Sequence, residues 1–213
     1  MRTRALAVAG AFEFTPEVHT DERGLFVSPL QHSAFVAAVG HEFTVAQTNH
    51  SRSAKGVLRG IHFTTTPPGQ AKYVYCARGR AMDVVVDLRV GSPTFGRWDV
   101  VHMDPHTFRA AYFPVGVGHA FLALEPDTVM SYLVSSAYRA ELELAIDPFD
   151  HSLGIPWPTG TEYVVSGRDR AAPGLAQTQA AGGLPLYTDC LALEGGIPAV
   201  GAAVPDHGSG GRA

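Results

Sequence analysis

Short apolar runs separated by turn-forming residues set the pattern of this chain. Stretches rich in Val, Ile, Tyr and Phe fall at 43–49, 57–63, 71–77, 81–88, 98–103, 110–113, 120–124 and 128–134. Runs of that length bounded by Gly, Pro, Asn and Ser predict strands of a sandwich or barrel. Arg78-Gly79-Arg80 and Gly91-Ser92-Pro93-Thr94 read as turns between them. Only 33–39 and 171–181 look helical. The pattern predicts an all-β domain with short flanking helices. No repeat of 20–50 residues interrupts it. Composition shifts from Gly182 onward, and 195–213 is mostly Gly, Ala, Pro and Ser with no periodic apolar face. The folded unit is therefore expected to span 1–185, with 186–213 a flexible tail.

Composition narrows the class. With 213 residues, 46 % of them hydrophobic, the chain can bury one sizeable core. The net charge of −4 supplies no basic field for nucleic acid. No apolar run approaches the roughly 18–20 residues of a membrane span. The N-terminal apolar stretch is too short for a signal peptide. A cytoplasmic protein without nucleic-acid or membrane partners is expected. Cys76 and Cys190 lie too far apart in sequence to suggest a zinc cluster, and two cysteines make no disulfide framework. Of 16 basic residues only Lys55 and Lys72 are lysines.

Two segments carry candidate chemistry. Gly56 is followed after five residues by His62, and Pro114-Val115-Gly116-Val117-Gly118-His119 has the form Pro-x-Gly-x-x-His. Both resemble parts of the two cupin motifs, and cupins are double-sheet jelly rolls. Metal-binding cupins add a second His and a Glu after the first glycine. Here position 64 is Thr and no Glu follows in the loop. His62 and His119 alone fall short of the three or four ligands that hold a catalytic first-row metal, so no metal site is expected. His119 is either a site residue or a core histidine paired with Asp83. Lys72, among Tyr73, Val74 and Tyr75, is either an edge-strand gatekeeper or an ammonium placed for a developing oxyanion. Arg23 and Arg59 are either surface arginines or forks for phosphate oxygens. Residues 59 and 62 point to opposite faces of a regular strand. For both to serve one pocket the strand must bulge, and Gly60 is where a bulge costs least; otherwise Arg59 faces away. Tyr132 reads on its own as a half-buried strand tyrosine, and Asp169 as a loop residue.

Together these segments resemble the nucleotide-sugar 3,5-epimerase family, typified by dTDP-4-dehydrorhamnose 3,5-epimerase. The matching stretches include Asp21-Glu22-Arg23-Gly24-Leu25-Phe26, Gln47-Thr48-Asn49-His50-Ser51, Leu58-Arg59-Gly60-Ile61-His62 and Pro68-Gly69-Gln70-Ala71-Lys72. They continue through Asp87-Leu88-Arg89-Val90-Gly91-Ser92-Pro93-Thr94-Phe95-Gly96, Ser131-Tyr132, Tyr138 and Ser166-Gly167-Arg168-Asp169. The resemblance covers about 8–180 and is nearest the branch that makes deoxysugars for antibiotics. It implies an RmlC-like cupin, a double-stranded β-helix or jelly roll, working as a homodimer on a dTDP-4-keto-6-deoxyhexose without cofactor. His62 would be the base, Asp169 its partner, Lys72 the enolate stabiliser and Tyr132 the acid on the opposite face. Gln47, Asn49 and Arg59 would contact pyrophosphate and nucleoside, Tyr138 would stack on thymine, and His119 and Arg168 would touch substrate. Arg23 and Phe26 would reach into the neighbouring subunit's site. Two positions depart from the family: Ser28 stands where it usually has Glu, and Arg168 where it often has Lys.

The chemistry stands apart from the resemblance. A proton next to a ketone is weakly acidic, so its removal needs a base, an oxyanion stabiliser and an acid. Imidazole suits the first role near neutral pH. No hydride moves, and the chain carries no Gly-x-Gly-x-x-Gly turn, Walker A loop or nucleophile elbow. Three rival activities fit the same fold. A 3,4-ketoisomerase, a metal-dependent cupin oxygenase and a non-catalytic sugar-binding cupin differ in product, metal content and solvent exchange.

Overall fold

The computed structural model describes residues 1–195. Strands β1 (Arg2–Ala5) and β2 (Phe12–Thr15) lead to a hairpin of β3 (Val18–Asp21) and β4 (Gly24–Val27), then to helix α1 (His32–Val39). The central run is β5 (Gln47–Ser53), β6 (Val57–Thr64), β7 (Lys72–Arg78), β8 (Ala81–Asp87), β9 (Trp98–Met103), β10 (Ala110–Phe113), β11 (Val117–Ala123) and β12 (Thr128–Val134). Short strands β13 (Glu143–Ala145) and β14 (Val164–Val165) follow, then helices α2 (Gly167–Arg170), α3 (Leu175–Ala180) and α4 (Tyr187–Gly195).

Two sheets face each other as a jelly roll. One runs β1-β2-β10-β7-β12-β5; the other runs β13-β6-β11-β8-β9, with β14 joining β6 in parallel. Val74, Val85, Val101, Phe113, Phe121 and Met130 fill the space between them. The outer faces are covered too. Phe35 of α1 packs on Phe14, Tyr73 and Tyr112, while Leu153 and Leu175 cover Leu58, Val84 and Leu122. Burial on both faces explains why β8 and β11 are buried at every position and read as continuous apolar runs.

A signature segment of the sequence is structural. Asp87 accepts hydrogen bonds from Arg89 Nε at 2.8 Å, Ser92 Oγ at 2.6 Å and Thr94 Oγ1 at 2.5 Å. Arg89 is itself buried and donates to Ala9 O at 2.6 Å. Burial pushes the Asp87 carboxyl up, but these donors outweigh it and hold it below the usual carboxylate range.

Several elements depart from the sequence reading. The strand expected at 43–49 lies at Gln47–Ser53, a polar edge strand with no apolar signal. The strand expected at 120–124 starts at Val117. The helix expected at 171–181 is confined to α3 (Leu175–Ala180), which starts beyond Pro173, while α2 ends at Arg170 before that span. The strands β1 to β4, β13 and β14 are too short or too polar to stand out. The expected boundary at 185 moves outward, because α4 packs onto the domain. Cys190 is fully buried, Glu194 accepts from Val115 N at 2.7 Å, and Tyr187 N donates to Val90 O at 3.0 Å. The part of the expected tail beyond Gly195 lies outside the described residues.

Candidate active site

The parity conflict between Arg59 and His62 is resolved at Gly60. On the β6–β11 ladder His62 opposes His119 and Arg59 opposes Phe121, so β6 carries one extra residue. This bulge turns both side chains inward. Gly60 has φ +118°, and a Cβ there would lie 2.5 Å from His119 O. Only glycine fits that backbone and that approach.

The result is a cavity of about 210 Å³ between the sheets, lined by Asn49, Arg59, His62, Lys72, His119, Tyr132 and Tyr138 among others. His62 Nε2 lies 2.7 Å from Asp169 Oδ1. Asp169 stands behind His62 on α2, whose N-cap Ser166 accepts from the Asp169 amide at 3.1 Å. Burial pushes its carboxyl up, yet hydrogen bonds from His62, Gly60 N and Ser166 together hold it below the ordinary aspartate range. An ionised Asp169 accepts from Nε2–H and leaves Nδ1 as the basic nitrogen.

A second imidazole–carboxylate pair lies beside the first, on the neighbouring strand β11. His119 Nε2 is 2.5 Å from Asp83 Oδ2, and its ring stacks on Phe113 at 4.6 Å. His119 is thus paired with Asp83 and also lines the cavity. Lys72 is buried there, which pulls its ammonium pKa down against the opposing charge of Glu143. Burial pushes the Tyr132 phenol well up, only partly offset by Ser51, whose Oγ is 3.4 Å away. The phenol therefore keeps its proton at neutral pH.

Gln47 holds the rim from behind. Its Nε2 donates to Asn49 Oδ1 at 2.6 Å and its Oε1 accepts from Tyr138 N at 3.0 Å. Gln47 itself does not line the cavity within one chain, and neither do three other expected substrate contacts. Arg23 and Phe26 sit on the β3–β4 hairpin beside a separate hollow, with Phe26 71 % exposed. Arg168 donates from Nη2 to Glu143 O at 2.7 Å and lines a neighbouring groove, because helix α2 directs Asp169 inward and Arg168 outward. The sequence reading missed His50, Ser51, Gln70, Phe121, Val134 and Glu143, which also line the cavity. Parity holds the signal for two of them: Ser51 shares a strand face with Gln47 and Asn49, and Gln70 lies two before Lys72. Glu143, on a three-residue strand, gives none.

A jelly roll with a paired imidazole, a buried ammonium and a protonated phenol in one pocket is built to take a carbon-bound proton off and put one back: it defines an isomerase. The family model described as dTDP-4-dehydrorhamnose 3,5-epimerase matches residues 5–177. A dTDP-4-dehydrorhamnose 3,5-epimerase from Mycolicibacterium smegmatis is 50 % identical over 91 % of this chain and 95 % of its own. The crystal structure of NovW, a 4-keto-6-deoxy sugar epimerase from the novobiocin cluster of Streptomyces spheroides, superposes with TM-score 0.86. It is 46 % identical, covering 89 % of this chain and 95 % of its own. ChmJ, a 3'-monoepimerase from Streptomyces bikiniensis solved with dTDP-quinovose, gives 0.85 at 45 % identity, covering 89 % and 96 %. The chain belongs to the dTDP-4-dehydrorhamnose 3,5-epimerase family.

Proposed function

We propose that this protein inverts a carbon next to the C4 ketone of a dTDP-4-keto-6-deoxyhexose, in deoxysugar biosynthesis. The observation that carries the reading is the shared cavity: the His62–Asp169 pair, Lys72 and Tyr132 all meet there. His62 Nδ1 takes the proton from the carbon, and the C–H electron pair moves onto the C4 oxygen as an enolate. Lys72 donates to that oxygen in a water-poor site, where a fixed cation lowers the barrier most. The enolate then collapses, taking a proton from the Tyr132 hydroxyl on the opposite face. Arg59 at the mouth matches a pyrophosphate oxygen pair, and exposed Tyr138 offers a face to the nucleobase.

A homodimer is part of this reading. Among the described residues the β3–β4 hairpin pairs only with itself, and it exposes Leu25 and Phe26. An aromatic at the tip of such an arm favours insertion into a second copy. The buried free thiols Cys76 and Cys190 suit a reducing compartment, and the cytoplasm is the proposed location. Light scattering at micromolar concentration should show two copies; a persistent 22.6 kDa species would refute the dimer.

The deciding experiment incubates the protein with dTDP-4-keto-6-deoxyglucose in heavy water and follows the sugar by NMR. Deuterium should appear next to the ketone with inversion there. A product with the ketone moved to C3, or no exchange at all, would refute the reading.

A further inference from the structure

Glu143 is the sole carboxylate among the described residues lining the active-site cavity. It stands on edge strand β13, directly opposite Thr64 of β6. Two contacts fix it. Thr64 Oγ1 donates to its carboxylate at 3.0 Å, and Arg168 Nη2 donates to its backbone carbonyl at 2.7 Å. Neither removes the carboxylate's charge, since one donor is neutral and the other is taken up by the main chain.

The other charged and titratable groups facing Lys72 are accounted for. His62 of β6 is paired with Asp169, His119 of β11 with Asp83, and His50 of β5 has its Nδ1 2.9 Å from Ser131 Oγ. Tyr132 of β12 is a neutral phenol, and Arg59 at the mouth adds a second cation rather than an anion. Glu143 therefore supplies the negative charge that the Lys72 ammonium meets across the cavity.

We propose that Glu143 is the positioning residue for Lys72: its carboxylate, pinned by Thr64 and by the grip of Arg168 on its strand, keeps the buried ammonium charged and turned toward the substrate oxygen. Facing Lys72 across the cavity, rather than binding it directly, leaves the ammonium protons for the enolate. Burial works against the charged form of Lys72, and Glu143 is the charge that offsets it. Arg168, outside the cavity, acts at one remove by holding the strand that carries Glu143. The inference rests on the reading of Lys72 as the cation at the enolate oxygen.

The chain's scarcity of lysine makes the test direct. With lysine labelled at Cε, NMR should show two side-chain signals, one from Lys55 and one from Lys72; Lys72→Arg assigns them. In Glu143→Gln, Lys72 should titrate at lower pH while Lys55 stays put. The alkaline limb of kcat/KM should move down by the same interval, with about a tenfold activity loss above it per unit moved. Glu143→Asp should restore much of both. Thr64→Val, which frees the carboxylate without removing it, should give a smaller shift and guards against a folding defect in the first variant. An unmoved Lys72 signal overturns the proposal, as does a raised KM with an unmoved alkaline limb, which would make Glu143 a substrate contact only. Failure of the unsubstituted protein to wash in deuterium would overturn the epimerase reading instead, and the Lys72 signal would still decide the coupling.

Discussion

Replacing Gly60 with Ala tests whether the bulge builds the site. Two costs are separable. The backbone at φ +118° lies where side chains are rarely found, which costs about 1–3 kcal/mol. The new methyl would also sit 2.5 Å from His119 O and 2.7 Å from Ala120 Cβ. Both neighbours belong to a central strand that cannot easily withdraw, and crowding of this kind adds about 1–3 kcal/mol. The sum, about 4 kcal/mol at mid-range, is a large share of a typical stability of about 5–15 kcal/mol. For a domain of this size it should lower Tm by about 8–16 °C. Gly154 is the control: it has φ +61° with nothing within 4 Å of a built Cβ. Gly154→Ala should therefore lose only the conformational part, about 1–2 kcal/mol. Calorimetry reads both, and solvent deuterium exchange at 25 °C reads the site. Gly60→Ala should also slow exchange far more than Gly154→Ala, because its methyl pushes the His62 and His119 strands apart. A Gly60→Ala protein melting within about 2 °C of its parent would refute the account.

Tyr132→Phe should separate two readouts: inversion should fall by about 100-fold or more, while deuterium exchange from the His62 side continues. Inversion at the parent rate would assign the acid elsewhere. Asp169→Asn should lower kcat more than it raises KM. It should also flatten the acid limb of stability. Asp169 is held below its ordinary value of 3.8, so its contribution is present above that value and fades as pH falls through the native one. Denaturant melts from neutral pH down to about pH 3 should show the parent losing more stability than the variant; parallel curves would contradict the pairing. Ending the chain after Pro185 removes Cys190 from its buried seat against Gly116 and the Glu194 bond to Val115. Tm should fall by several degrees, and an unchanged melt would show that α4 is dispensable.

Much of the central sheet pair was legible because its strands are apolar on both faces. β8, β9, β10 and β12 fall where alternation and turns placed them, to within a residue. What stayed hidden was polar. β5 lines the site with Asn49, His50 and Ser51 and backs its rim with Gln47, so the residues that make it useful erase the apolar signal that would mark it. Asp169 lies 107 positions from His62, and only the fold brings the two within 2.7 Å. The bulge at Gly60 was one of two outcomes that parity left open, the other being an Arg59 that faces away. The helix α4 was not, because its anchors Cys190 and Glu194 are single residues in a stretch of bland composition. Glu143 depends wholly on which edge its short strand joins.

The Asp87 network separates two kinds of inheritance. Asp87, Arg89, Ser92 and Thr94 satisfy one another deep in the domain and take no part in the cavity. A descendant that kept those four and lost His62 or Tyr132 would still close its two sheets around the same core, yet have no chemistry left. Selection on folding alone can preserve the Gly-Ser-Pro-Thr-Phe-Gly segment long after catalysis has drifted away. That segment records shared architecture, whereas His62, Lys72, Tyr132 and Asp169, scattered over four elements, record the reaction.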